Sequence, residues 1–323
     1  VLDSFKKKIC ARCLCVHPTR FFSLHCHGCD QVYFCSQECY EQGNHHFSSS
    51  TTSSKSSILT PLWICSALRK LATLKKVDRH EKSVAKLVLL IYWQREKEQM
   101  STLSSSSFEK GGNDNNNDKE NADIVILSST FEQVTALESH YNDWSQPVKQ
   151  DWYRTQQFLE KQLVGKYDNK EDIMHLISKI ESNSFGIYLN DNKNKGEPVG
   201  RALFPIASLF NHDCNNNCEA EQITEDQDTL EQFEQKEEIV PDPKNPEQVI
   251  RRYYYPDVFS QTRGNFRSML IRTVQQVNPD DPLTISYIDS SLPVSARRQK
   301  LKQDYYFDCQ CARCINELSV KKL

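Results

Sequence analysis

Apolar residues recur at helical spacing in three stretches of the chain. Val84, Leu87, Val88 and Ile91 follow the i, i+3, i+4, i+7 rule of an amphipathic helix. Phe131, Val134, Leu137 and Tyr141 repeat it, as do Ile173, Leu176, Ile177 and Ile180. These stripes are read as core faces without chemistry of their own. Between the first two stretches, residues 101–122 are rich in Ser, Asn and Asp around Gly111-Gly112, which predicts a disordered loop. Residues 181–218 change character to short strand-like pieces with turns, and 219–238 is strongly acidic without periodicity, the pattern of a solvated loop. Strand character returns at Met269–Val274. A turn from Pro279 to Pro282 leads to a predicted strand over Leu283–Ile288, and a short helix is expected over Ser295–Lys302. No internal repeat is visible.

The chain has 323 residues, room for about two domains. Its net charge of −3 and pI near 6.3 provide no global basic field for nucleic acid. Lys6–Lys8, Arg12 and Arg20 are basic, but no recognition helix follows at zinc-finger spacing, so direct nucleic-acid binding is not expected. No apolar run reaches the roughly 20 residues of a membrane span. No secretory signal is visible, although the chain begins at Val1 rather than Met.

Cysteine changes the picture most. There are thirteen, and seven lie in the first 39 residues: Cys10-x2-Cys13, Cys15, Cys26-x2-Cys29 and Cys35-x3-Cys39. An odd total in short pairs beside histidines reads as zinc sites in a reducing compartment rather than as a disulfide framework. The chain ends on a second motif, Cys309-x-Cys311-x2-Cys314. Three thiolates leave a tetrahedral structural zinc one ligand short. Cys214, within Asn211-His212-Asp213-Cys214, is the leading candidate for the fourth.

Three close cysteine pairs followed by His45-His46 resemble a MYND finger, a cross-braced module with two zinc ions. That family closes with H-x3-C, whereas here Ser50, in a Ser/Thr run, stands at the cysteine position counted from His46. The nearest later thiol is Cys65, in a segment from Pro61 to Leu71 that resembles the one carrying the final MYND cysteine. The finger is therefore assigned to residues 1–65 with a Ser/Thr-rich insert at 48–59. The resemblance implies interleaved sites: Cys10, Cys13, Cys35 and Cys39 for one ion, and Cys26, Cys29, His46 and Cys65 for the other. His45, His25 or His27 could take the place of His46, and Cys15 is read as a spare thiol. So small a module has little core, and zinc should supply most of its folding energy. MYND fingers are usually peptide-docking surfaces, so peptide docking and a purely structural role are both open.

Three further segments resemble a SET domain, the fold of protein-lysine methyltransferases. Asn183-Ser184-Phe185 is similar to the family's N-[SGA]-F strand. The run from Arg201 to Asn217 is similar to the segment ending N-H-S-C-x-P-N, with Asp213 in place of Ser and Asn216 in place of Pro. Leu283 to Asp289 is similar to the family's tyrosine-bearing strand. The implied fold is α+β: a helical SET insertion at 66–180, a β-rich SET core at 181–298 with an acidic insert at 219–262, and a post-SET zinc segment at 299–323. The family's upstream Gly-x-Gly strands have no counterpart before Cys10, which is the pattern of a fragment or of a partly lost cofactor site. The shorter plan, without a helical-repeat domain after the triplet, resembles fungal members.

The resemblance implies an S-adenosylmethionine-dependent protein-lysine N-methyltransferase, cytoplasmic or nuclear, with up to three structural zinc ions and a lysine of a histone or other protein as substrate. Tyr287 and Tyr305 would wall the transfer channel; Asn183, Asn211, His212, Tyr287 and Phe307 would contact the cofactor; Cys214 would join Cys309, Cys311 and Cys314. Such chemistry needs a neutral amine. An unperturbed lysine is neutral in only about one molecule per thousand near pH 7.4, a penalty of about 4 kcal/mol. A narrow aromatic channel lowers that pKa by desolvation and aligns the reacting atoms. The rival expectation is a catalytically silent adaptor in which the finger docks peptides and the SET part is scaffold.

Overall fold

The computed structural model describes residues 1–17, 21–43, 63–105, 130–189, 196–223, 236–242, 245–254 and 267–320. It is α+β: helices gathered in the first half, short strand pairs in the second.

The helical part is built from α1 (Gln37–Gly43), α2 (Trp63–Thr73), α3 (Arg79–Ser105), α4 (Phe131–Thr135), α5 (Gln146–Asp151), α6 (Tyr153–Gln162) and α7 (Lys170–Asn183). Helix α2 buries Ile64, Cys65, Ala67, Leu68 and Leu71, a single face at helical spacing. Helix α3 sets Val84, Ala85, Val88 and Leu89 against it, and Trp63 Nε1 donates to Glu96 Oε2 across the pair at 2.6 Å. Helix α7 opens with a capping box, the Asn169 side chain and the Asp172 side chain each satisfying backbone N–H groups of the other. It buries Ile173, Leu176, Ile177 and Ile180 as the sequence pattern predicts.

Two helical expectations change. Helix α3 runs on to Ser105, so the first five residues of the expected 101–122 loop are helical and the rest lie outside the described residues. The 131–141 stripe breaks after Thr135 and resumes only as a 3-10 turn at Tyr141–Asp143. Side chains of α7 take over the freed backbone groups: Ser178 Oγ accepts from His140 N at 2.9 Å and Asn183 Nδ2 donates to Glu138 O at 2.9 Å. With its polar backbone satisfied from outside, the segment gains nothing by staying helical.

The strands form β1 (Ser184–Leu189) with β2 (Glu197–Leu203), β4 (Cys218–Ile223) with β7 (Ser268–Thr273) and β5 (Lys236–Asp242) with β6 (Asn245–Tyr254), all antiparallel. The fourth pair is parallel and only two residues long: β3 (Asn211–His212) beside β8 (Thr284–Ile285). The expected Leu283–Ile288 strand is thus reduced to two residues. The acidic stretch read as a solvated loop instead supplies strand residues at both ends, Glu219–Ile223 to β4 and Lys236–Glu238 to β5. Its net charge did not prevent pairing because antiparallel ladders leave alternate side chains in water. Helices α8 (Val294–Tyr305) and α9 (Ala312–Val320) follow.

The finger does not stand alone. Its buried residues, Cys10, Cys26, Phe34 and Cys35 among them, belong to one apolar cluster with Leu68, Val88, Leu89 and Ile177. The expectation of a module with little core is therefore corrected: the finger shares the core of the helical part.

Candidate functional site

The cysteines gather into three groups, with the ligand atoms of each group within 4.8 Å of one another. The first is Cys10, Cys13, Cys35 and Cys39. Each C-x2-C pair of the finger is turned by a left-handed residue directly after it, Leu14 (φ 60°) and Asp30 (φ 55°), whose N–H groups reach back to Cys10 O (3.1 Å) and Cys26 O (2.8 Å). Cys39 lies on α1, where Ser36 Oγ accepts its N–H at 3.2 Å. Burial opposes ionisation of Cys10, but hydrogen bonds from Cys13, Cys15, Cys35 and Cys39 outweigh it and hold its thiol well below the usual range. The bond to Cys10 in turn pushes Cys13 and Cys35 up. The Cys39 thiol is lowered as well; charge shared unevenly among neighbouring thiols is how a metal-free set behaves, and a divalent cation lets all four ionise. The donor set therefore fits zinc. Cys15 lies outside the group.

The second group is Cys26, Cys29 and Cys65. Cys65 is part of α2, with its sulfur 3.6 Å from that of Cys26, so this site fastens the finger to the first long helix pair. His46, the expected fourth ligand, and His45 lie outside the described residues. His25 Nδ1 instead sits 2.8 Å from Ser23 O, with its ring stacked on Tyr33, and neither it nor His27 joins the group.

The third group is Cys214, Cys309, Cys311 and Cys314, the expected set. The Cys214 sulfur lies 3.5 Å from that of Cys314 and 3.9 Å from that of Cys309. Burial and the neighbouring thiol of Cys314 push the Cys214 thiol up, and burial raises Cys309 to about 11. All three groups could hold zinc.

The residues expected to act on substrate and cofactor gather beside this third group. Parallel pairing sets Asn211 against Thr284 and His212 against Ile285, and Asp213 N donates to Ile285 O at 3.1 Å. His212 Nδ1 accepts from Tyr287 N at 3.0 Å, which leaves the imidazole proton on Nε2, 3.3 Å from Cys214 Sγ. Burial lowers the His212 pKa, so this neutral tautomer is favoured. The Tyr287 hydroxyl donates to Phe210 O at 2.8 Å, and its ring lies 4.8 Å from Tyr305. Burial raises both phenols, which stay protonated at neutral pH. Phe307 faces His212 at 6.1 Å. Tyr306 takes a left-handed conformation (φ 63°) at the end of α8 and stacks on His140 instead, so it is Tyr305 that turns to Tyr287. Asn183 ends α7, where its amide nitrogen donates to Lys179 O and Glu138 O, both at 2.9 Å; it makes no described bond with the His212–Tyr287 pair.

Two residues carry weight that the sequence reading did not assign. Asn217 Oδ1 accepts from Thr284 N at 2.9 Å and its Nδ2 donates to Pro282 O at 3.0 Å, bracing β8. Arg297 is 1% exposed and its Nε points at Cys214 Sγ, 3.3 Å away. Val294, Arg297 and Leu301 fall on one face of α8, so an arginine at a core position was the signal available. A cavity of about 290 Å³ lies elsewhere, between the finger, α3 and β2, and none of Asn211, His212, Tyr287 or Tyr305 lines it.

No family model matches the chain. Individual proteins do. A SET and MYND domain-containing protein of Dictyostelium discoideum is 28% identical over 153 residues, 47% of this chain and 27% of that protein. Mouse histone-lysine N-methyltransferase Smyd1 is 29% identical over 142 residues, 44% of this chain and 22% of its own length. SET and MYND proteins are homologues of this chain. Rat N-lysine methyltransferase SMYD2 is 23% identical over 188 residues, covering 57% of this chain and 32% of the rat protein. The chain thus spans no more than about a third of these SET and MYND relatives. Its three cysteine groups agree with that kinship. Among the described residues, no helix is long and apolar enough to cross a membrane.

Proposed function

We propose that this chain carries the methyl-transfer site of a protein-lysine N-methyltransferase that uses S-adenosylmethionine, with a lysine of a histone or another protein as substrate and the cytoplasm or nucleus as its setting. The observation that supports this best is the union of the Asn211–Cys214 segment with the Thr284–Tyr287 segment, which sets the Tyr287 ring against that of Tyr305 at 4.8 Å, beside a four-cysteine group. The names of the rodent relatives agree with the reading.

When bound, the cofactor supplies a sulfonium-borne methyl group. The residues around the junction suit that cation: aromatic faces of Tyr287, Tyr305 and Phe307, with the Phe210 carbonyl at hand. Tyr287 and Tyr305 are half-buried phenols that desolvate an incoming amine and so favour its neutral, nucleophilic form. Solvent takes the lysine proton beforehand, and no histidine base is called for. His212 has both ring nitrogens engaged, so it would meet the cofactor through its backbone, with Asn211 offering an exposed side chain next to it. Asn183 enters through its place at the end of α7, directly before β1, rather than through its amide nitrogen, which is already bound. Zinc at the third group would hold Cys214, two residues from His212, to the C-terminal segment that brings Tyr305 and Phe307. His46 is retained as the fourth ligand of the second site.

The test is calorimetric titration of S-adenosylmethionine into the zinc-loaded chain, followed by transfer of labelled methyl to histone and other protein substrates. Micromolar binding with transfer that falls at least tenfold in Tyr287→Phe is expected. Unaltered rate and product pattern in that variant would sink the channel assignment. Peptide binding by the finger in a chain that binds no cofactor would establish the adaptor instead.

A further inference from the structure

Four thiolates around one zinc ion carry two negative charges in excess, and burying that excess needs a partner. At the third group the partner is on the page. Arg297 lies in α8, 1% exposed, the largest fully buried side chain of the described residues. Its Nε donates to Cys214 Sγ at 3.3 Å and its Nη2 toward Cys314 Sγ at 3.6 Å. The same guanidinium donates from Nη1 to Leu292 O at 2.6 Å and from Nη2 to Glu317 Oε2 at 3.0 Å. Glu317 is itself held by Arg313 Nε at 2.8 Å, and Arg313 Nη1 reaches the backbone oxygen of Cys214 at 2.9 Å. Two arginines, one on α8 and one on α9 and joined through Glu317, therefore converge on one cysteine, Arg297 gripping its sulfur and Arg313 its carbonyl.

We propose that Arg297 is a positioning residue, a guanidinium clamp that holds the zinc-ligating sulfur of Cys214 and, through it, the His212–Tyr287 pair of the transfer site. The chain of contacts is short. Cys214 Sγ also receives His212 Nε2, and His212 Nδ1 receives Tyr287 N. Moving the sulfur moves the imidazole, and moving the imidazole moves the tyrosine backbone. A planar fork can address two sulfurs, a carbonyl and a carboxylate at once; an ammonium group is a point charge on a flexible stem and cannot. The link to methyl transfer rests on the proposed function above, but the clamp itself concerns the metal site alone.

The experiment uses the zinc-loaded full chain and its Arg297→Met and Arg297→Lys variants. Zinc release to a chromogenic chelator is followed together with the sulfur-to-metal charge-transfer bands of the Co2+-substituted protein and with S-adenosylmethionine affinity. Arg297→Met should keep its far-ultraviolet circular dichroism and two slowly released ions, while the third leaves about 10–100-fold faster, the usual range for loss of an outer-shell partner. Its charge-transfer bands should shift, and Arg297→Lys should fall between it and the wild type. Wild-type release and an unshifted spectrum in Arg297→Met would overturn the clamp. If Arg297→Met folds poorly, Arg297→Gln, which keeps a donor without the charge, is read in the same way. A wild-type chain that binds no S-adenosylmethionine while its variants lose zinc as expected would remove the methyl-transfer reading and leave the clamp standing.

Discussion

Replacing Asn217 by alanine should loosen the transfer site without unfolding the protein. The β3–β8 pair is two residues long, too short to hold itself. Asn217 supplies the brace from the side: its Oδ1 takes the Thr284 N–H at 2.9 Å and its Nδ2 gives to Pro282 O at 3.0 Å. Each such bond contributes about 1 kcal/mol net at a half-exposed position, so losing both costs about 2 kcal/mol. That cost falls on local opening of the 282–287 segment, because Asn217 adds nothing to the large buried cluster. At RT near 0.6 kcal/mol, about 2 kcal/mol is roughly a 30-fold larger opening constant. Amide hydrogen exchange read by mass spectrometry reports it directly, since the Thr284 and Tyr287 N–H groups are bonded to Asn217 and His212 in the native state. Asn217→Asp is the internal control. It keeps the acceptor and loses the donor, and should show about half the free-energy effect, near fivefold. Exchange in β4 and β7 serves as reference and should not move. A rise below about threefold at 284–287 in a folded Asn217→Ala protein would refute the idea that this side chain holds the strand.

Removing the Ile177 side chain beyond Cβ tests the shared core: the residue is fully buried in α7, so Ile177→Ala should cost about 2–5 kcal/mol and lower the thermal midpoint of the zinc-loaded protein. A loss under about 1 kcal/mol would mean that the cluster is looser than described. Elemental analysis should find three zinc ions per chain, one for each cysteine group, and Cys65→Ser should lose one of them while making α2 a target for limited proteolysis. Retention of all three ions in that variant would remove Cys65 from the second site.

Much of the site was legible from residue types at short spacing. The close cysteine pairs read as zinc ligands from spacing, whereas the grouping of Cys10 and Cys13 with Cys35 and Cys39 came from the resemblance to a MYND finger, and the fold brings all four together. Cys214 could be joined to the C-terminal triplet because three thiolates leave a tetrahedron open. The helical stripes of α3 and α7 were plain because a buried face repeats every 3.6 residues. The break at Thr135 was not, because the groups that satisfy its backbone sit on α7, about forty residues away. Nor was the hairpin of β5 and β6, since its charge-rich sequence carries no apolar alternation to read.

The sequence by itself determined which atoms are present to bind metal and which stretches are helical. Those properties follow from local chemistry: thiolate affinity, side-chain periodicity and turn-forming residues. Tertiary structure supplied the reason that Tyr305, the residue the resemblance implied, faces Tyr287 while Tyr306 does not: the left-handed residue that ends α8 sends the two rings in different directions. It alone committed both His212 nitrogens, buried Arg297 against the Cys214 sulfur, and made the finger share its core with α2, α3 and α7. Each of these depends on groups far apart in the chain meeting at hydrogen-bond or van der Waals distance. Such meetings are set by how whole elements lie against one another, and no local pattern encodes them.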